Sequence, residues 1–461
     1  MSKVIIETDL DNSGVQKGLE RLGGILKTGV ASAAKVSLSA LAVVSTAISA
    51  VTGAAIKFGT EYQQASNQIQ AETGATAEEM EGLKGIMEDV YADNFGDNMQ
   101  DAAAGVAEVK KQLGGLVQED AFKDLTEDAF MMRDTFGYEV PESIRSVSTM
   151  IKQFGIDGAG AFNLIAQANQ RGLDYSGELL DSINEYSVQF NKVGLDATDM
   201  FNIFESGMKN GAFNLDKIGD AVKEFSIRAI DGSKTTSEGF KLIGLNADEM
   251  GAKFAAGGDQ AKEAFYQTIK ALREMDDPLA QSTAGVDLFG TMWEDLGPTV
   301  VTQLDAIKDG YDATNDSMQA INDVKYDDAA SALEALKRNL EVKLLAPISE
   351  KVMPAISDAT NAAIGYIDRI ANAFETGGIS GLVDETASVF AECASKAAAQ
   401  APKMIDAAVT FIQSFVQGLS DNSDELLNAA IQIVRTLSRG IVSFLPTEIQ
   451  KPVQNDSVYD Y

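Results

Sequence analysis

Apolar positions between Leu41 and Ile69 follow one another at alternating steps of three and four: Leu41, Val44, Ile48, Val51, Ala55, Phe58, Tyr62, Ala65 and Ile69. This is a heptad stripe, and it predicts a long helix that presents one narrow apolar seam to a partner. A second pattern overlies its start. Val36 to Ile56 is a run of 21 residues without a charge, long enough to cross about 30 Å of bilayer hydrocarbon as a helix. Only eight of the 21 are Val, Leu or Ile, and six are Ser or Thr, a poor composition for insertion. Length therefore supports a membrane segment with ends at Val36 and Ile56. Periodicity continues past Lys57 and Glu61 and supports a self-associating helix, a small bundle with Leu41, Val44, Ile48, Val51, Phe58 and Tyr62 in its seam. The residues leave both readings open.

The remaining chain is also helical in pattern, which makes the expected fold mainly α. Val4 to Ile6 is a short β-prone run closed by turn formers, so residues 1–70 read as a short strand plus the long apolar helix. Residues 71–336 read as a compact, acidic, α-helical core domain with short joints. Two joints repeat: Gly194-Leu195-Asp196-Ala197-Thr198-Asp199-Met200 and Gly244-Leu245-Asn246-Ala247-Asp248-Glu249-Met250. Each places Gly at the left-handed end of one helix and Asp or Asn as the N-cap of the next. An acid three residues on completes a capping box in form, with Asp199 the shorter partner and Glu249 the longer. Phe154-Gly155-Ile156-Asp157 is a looser third instance. Residues 337–376 predict a long helix kinked at Ala346 and Met353 by Pro347 and Pro354. Residues 377–461 hold apolar helical units of 22-residue period, from Pro402 and again from Asp424, before a polar tail. A third unit opens at Pro446 and does not complete, which suggests a chain truncated at its C-terminus.

Composition narrows the chemistry. The 461 residues carry 69 Asp and Glu against 37 Lys and Arg, a net charge of −32. Direct nucleic-acid binding is not expected, because it depends on Lys and Arg displacing phosphate counterions. The lone Cys393 excludes an intrachain disulfide, and the N-terminus has no secretory pattern, so synthesis in cytoplasm is expected. There is no histidine, which removes His-dependent triads and most zinc sites. Gly155-Ile156-Asp157-Gly158-Ala159-Gly160 lacks dinucleotide spacing and reads as a loop. Asp9, Asp11, Ser13 and Glu20 match EF-hand spacing, with Gly14 at the sixth position. A strand precedes them where a helix should, and Gln16 stands where an apolar residue is usual, so a strand end and helix cap is the stronger account. Asp276-Asp277 and Asp327-Asp328 could serve a glycosidase, but a chain this acidic produces such pairs by chance. Trp293 and the Phe residues read as core. No catalytic site and no cofactor is predicted.

A resemblance joins these pieces. FKLIGLNADEMGAKFAAGG from Phe240, Phe265, Ile269 and Leu272, and VDLFGTMWEDLGPTVV with Leu288-Phe289-Gly290 resemble the core region of bacteriophage tail tape measure proteins. LEVKLLAPISEKVMPAI is similar to that family's exit into long helices, and the units from Pro402 to its downstream apolar repeats. The resemblance implies a structural protein, several copies side by side in the lumen of the tail. Tail tube protein polymerises around them with the help of tail assembly chaperones, and the covered length sets the tail. It also implies ejection at infection, with contact to the host membrane. A fully helical chain of this size would span at most about 690 Å. Alternatives are a stand-alone membrane-active helical protein, a tape measure of a phage tail-like particle, or a tape measure carrying a cell-wall hydrolase, for which no motif is present.

Overall fold

Side-chain hydrogen bonds between helices recur at a nearly constant distance along this chain, and that distance defines the architecture. Ser148 Oγ donates to the Gln112 carbonyl, Thr149 Oγ1 to Asn184 Oδ1, Asn214 Nδ2 to Glu178 Oε1 and Ser226 Oγ to Gln189 Oε1, at separations of 36, 35, 36 and 37 residues. Each helix thus bonds its counterpart one repeat further on. Such a pattern belongs to stacked helical hairpins, in which every unit touches mainly its neighbours.

The computed structural model describes residues 57–326 and 328–345, with single positions at 369 and 388. Among the described residues regular structure is helical and no strand occurs. Residues Ala65–Ala332 form one compact unit, and the other described residues fall in a second. α1 covers residues 57–73 and is followed by α2 (Ala77–Ala92), α3 (Met99–Leu113), α4 (Phe122–Phe136) and α5 (Val140–Phe154). Next come α6 (Gly158–Gln170), α7 (Leu179–Lys192), α8 (Ala197–Lys209), α9 (Leu215–Arg228) and α10 (Lys234–Leu242). α11 (Ala247–Ala256), α12 (Gly258–Arg273), α13 (Pro278–Phe289), α14 (Thr291–Val301), α15 (Ser317–Lys325) and α16 (Ala329–Leu340) complete the order. α16 runs into a wider π-helical turn at Glu341–Leu345, and the expected kinks at Ala346 and Met353 lie outside the described residues.

α3, α5, α7 and α9 pack in succession as one row, while α4, α6 and α8 form a second. Their buried faces are apolar: Val106, Ile144, Val147, Ile183, Phe190, Ile218 and Val222 are inaccessible in the first row, and Phe130, Phe162, Leu164, Phe201 and Phe204 in the second. The stack is closed by α10 to α14. Phe225 of α9 meets Phe254, Phe265 and Phe289 with ring centroids 5.2, 5.4 and 4.9 Å apart. Leu288-Phe289-Gly290 therefore serves the core, two inaccessible side chains followed by a left-handed stop at φ 60°. Trp293 is buried, as expected, and lies where a side chain on Gly285 would stand.

The joints behave as read from their residues, with one reversal. Gly194 and Gly244 both adopt φ 76°, and the amides of Leu195 and Leu245 reach back to the carbonyls of Phe190 and Phe240 at 3.0 and 2.9 Å. Asp196 and Asp199 form a reciprocal capping box. Asn246 instead caps α11 alone, because the Glu249 carboxylate turns to Lys253 at 3.2 Å. Gly158 to Gly160 is not a loop: Asp157 accepts from the Gly160 amide at 2.7 Å and starts α6 there.

The two glycines separate backbone strain from crowding. Both have a left-handed φ, but a Cβ on Gly194 would stand 2.1 Å from the Gly258 carbonyl oxygen, while one on Gly244 meets nothing within 4 Å. Gly244→Ala should cost about 1–2 kcal/mol, the left-handed penalty. Gly194→Ala should cost measurably more. Urea unfolding followed by circular dichroism checks the order, and equal costs would mean that α12 moves aside freely.

Candidate functional site

After α14 the chain turns back across the stack. Residues 302–316 hold no long helix, yet they cross α8 and α6, and α15 then lies on α6 and α4. Leu304, Tyr311, Met318 and Ile321 anchor this strap with buried side chains.

Buried backbone outside a helix must find partners elsewhere. Here the partners are side-chain amides. Asn202 Nδ2 donates to the Lys308 carbonyl at 2.9 Å, and Asn202 Oδ1 accepts from the Gly310 amide at 3.0 Å. Gln167 does the same to a single residue, donating to the Asp312 carbonyl at 2.7 Å and accepting from its amide at 3.0 Å. Asn163 Oδ1 accepts from the Met318 amide at 3.0 Å, with its Nδ2 3.5 Å from the Ala313 carbonyl. Ser206 Oγ accepts from the Ile307 amide at 2.9 Å. A carboxamide carries a donor and an acceptor in one plane, as a peptide group does, so it can replace a neighbouring strand.

Charged groups fix the strap at both ends. Asp305 takes a two-point contact from Arg273, whose Nη1 also donates to the Thr302 carbonyl at 2.8 Å. Arg171 binds Glu205 through Nε and Nη2 at 2.7 and 2.9 Å, and its guanidinium lies 5.0 Å from the Tyr311 ring centroid. Burial pushes the Glu205 carboxyl up, but the bonds from Arg171 and Lys209 outweigh it and hold the group below its ordinary range. At the far end Lys325 Nζ donates to the Asp134 carbonyl at 2.6 Å and Tyr326 to Asp134 Oδ2 at 2.9 Å. Tyr326 also packs edge-on against Phe95, 5.2 Å away. The strap thus returns the chain to the start of the stack.

The sequence reading missed these residues. Asn163 and Gln167 sit one turn apart on α6, and Asn202 and Ser206 one turn apart on α8, 39 residues later. The signal was present: Gly155-Ile156-Asp157 with Phe162-Asn163 aligns on Gly194-Leu195-Asp196 with Phe201-Asn202. Of the residues singled out from sequence, Asp9, Asp11, Ser13 and Glu20 lie outside the described residues, as do Val36, Leu41, Val44, Ile48, Val51 and Ile56. Phe58 and Tyr62 stack on α1 with centroids 6.1 Å apart. Ala65 and Ile69, which continue the stripe, are inaccessible in the single chain. Among the described residues no helix is long and apolar enough to cross a membrane, and no group of three or more acidic or Cys side chains could hold a metal ion. The acid pairs serve as caps: Asp277 accepts from the Leu279 amide at 2.9 Å and Asp328 from the Ala330 amide at 2.8 Å.

Residues 89–290 match the family described as phage-related minor tail protein, a span that runs from α2 to the end of α13. Over 145 residues, 29% of the chain, the sequence is 30% identical to the probable tape measure protein of Streptomyces phage phiC31. The matched part of the chain spans 20% of that relative's length. No solved structure matches the chain.

Asn202→Ala should leave the Lys308 carbonyl and Gly310 amide without their partner and destabilise the unit by about 1–3 kcal/mol. A urea midpoint unchanged from the natural chain would mean that water satisfies both groups. A pH effect arises on α4. Burial raises the Asp128 carboxyl to about 8 and the Glu127 carboxyl to about 7, the latter against the pull of Lys123. The folded chain then keeps protons that the unfolded chain releases near pH 4, so stability falls as pH rises through that window. Asp128→Asn should raise the urea midpoint at about pH 8 and leave it nearly unchanged at about pH 4. Equal shifts at both values would remove burial as the cause.

Proposed function

We propose that this tape measure-like tail protein is a length-setting scaffold, assembled inside a growing phage or phage-like tail and ejected at infection. The observation that carries the reading is the family match over residues 89–290, which lies within the helical stack. A tail component of this kind is a virion protein and associates with other tail proteins. In the proposed cycle several copies lie side by side in the tail lumen, with the seam of Leu41, Val44, Ile48, Val51, Phe58 and Tyr62 as their lateral contact. Tube protein polymerises around the bundle, guided in the host cytoplasm by assembly chaperones, until the scaffold is covered. On ejection the uncharged run from Val36 to Ile56 and the apolar units from Pro402 meet the host membrane.

The role proposed for the chain is structural, not catalytic. It makes a quantitative demand on length. An in-frame deletion of about 20 residues within 337–376, a stretch read as a long helix kinked at Pro347 and Pro354, should shorten the tail by up to about 30 Å at 1.5 Å per residue. Electron microscopy of tails assembled with the deleted chain measures this directly, and tails of unchanged length would sink the ruler role.

A further inference from the structure

Three features make the strap unlike the rest of the stack. First, it is held largely through its main chain. Asn163, Gln167, Asn202 and Ser206 all bond backbone amides or carbonyls of residues 307–318, contacts that are blind to most side chains of the strap. Second, the same helical positions recur one repeat apart, so the row is a periodic reader and not one chance pair. Third, the strap links α4, α6 and α8 across more than one repeat, while the hairpins otherwise contact mainly their neighbours. A segment read in this way is a ligand that happens to be covalently attached.

We propose that the amide row on α6 and α8 is a binding site for a peptide segment read through its main chain, filled in the single chain by its own residues 307–318, and that the same segment of a second copy can take its place. The second copy follows from complementarity: an identical segment carries the same Tyr311 for the Phe201 and Arg171 pocket and the same backbone spacing. Exchange of an identical element is a low-cost route to association. The turn around Gly297 (φ 73°), with the non-helical residues 302–306, supplies the hinge. Attachment in the same chain gives the resident segment a high effective concentration, so exchange grows with protein concentration. The site does not depend on the length-setting role, and either could stand without the other.

Gly310 makes the test possible. A Cβ there would lie 2.8 Å from Asn202 Oδ1 and 3.3 Å from Arg171 Nη2 of the stack, and 2.7 Å from Ile307 Cγ2 within the strap, so Gly310→Val should push the resident strap off the row. The probe is a fluorescein-labelled synthetic peptide of natural sequence covering residues 303–319. By fluorescence anisotropy, the full chain carrying Gly310→Val should bind this peptide at least about tenfold more tightly than the natural chain, whose site is filled. Adding Asn163→Ala and Asn202→Ala to that variant should weaken binding by about tenfold or more. A Gly310→Val chain with native circular dichroism that binds no more peptide than the natural chain overturns the proposal. Should that variant fail to fold, hydrogen exchange on the natural chain decides instead. The amides of Ile307, Gly310, Asp312 and Met318 should exchange at least about tenfold faster than buried amides of α6 and α8. Equal rates would mean that the strap opens only with the whole unit, and would overturn the exchange.

Discussion

An amphipathic helical hairpin has apolar surface on both broad sides, and residues 65–332 are arranged to cover it. α5 is buried between α3 and α7, and α7 between α5 and α9, so no interior hairpin has a free apolar side. The ends of such a stack need different treatment. At one end Phe225 would face water, and α11, α12 and α13 each bring a ring to it. The Leu288-Phe289-Gly290 sequence that marks the family resemblance is thus an end plate: its phenylalanine stacks on Phe225 with an interplanar angle of 24°. Its glycine, at φ 60°, lets the ends of the Arg228 and Glu224 side chains approach to within about 3 Å of where a Cβ would stand.

The strap runs across the second row. Neighbouring packed helices stand about 8–10 Å apart, and an extended chain advances about 3.3 Å per residue. A segment crossing the second row therefore needs about three residues for each helix it passes. The contacts take more chain than that: Asn202 Nδ2 and Oδ1 meet Lys308 and Gly310, while Asn163 Nδ2 and Oδ1 meet Ala313 and Met318, because the segment bends and turns between the two helices. Amides at equivalent positions thus hold one irregular segment across two repeats. Asp305 and Asp134 pin it beyond the reach of the row.

Local grammar was legible in the sequence, and long-range order was not. Helix stops and starts at Gly194 and Gly244 follow from residue chemistry within seven positions, and the structure has both. Which acid closes a capping box did not follow from side-chain length, because Lys253 draws Glu249 away while Lys262 and Tyr266 hold Asp199 in place. The Gly194 and Gly244 joints do not show the stacking period. Gly194 and Gly244 are separated by α8, α9 and the additional short helix α10, whereas Gly155 and Gly194 are separated by α6 and α7 alone and are one repeat apart. Glycines at 158 and 160 suggested a loop because glycine is a poor helix former, but the Asp157 cap decides the matter. The amide row could not be found locally at all, since Gln167 meets its partner 145 residues away.

The stack also changes what a ruler made from this chain would measure. Drawn out as one helix, residues 65–332 would extend about 400 Å at 1.5 Å per residue. Folded as hairpins, each repeat of about 39 residues advances the stack by only one helix spacing, about 10 Å. A residue inside the stack therefore contributes several-fold less length than one in a continuous helix. Under the proposed length-setting role, the residues of Ala65–Ala332 would supply little of the length and would act as a fixed body. The strap strengthens that assignment, because it ties α4, α6 and α8 together and opposes the stretching that a chain of nearest-neighbour contacts would otherwise permit.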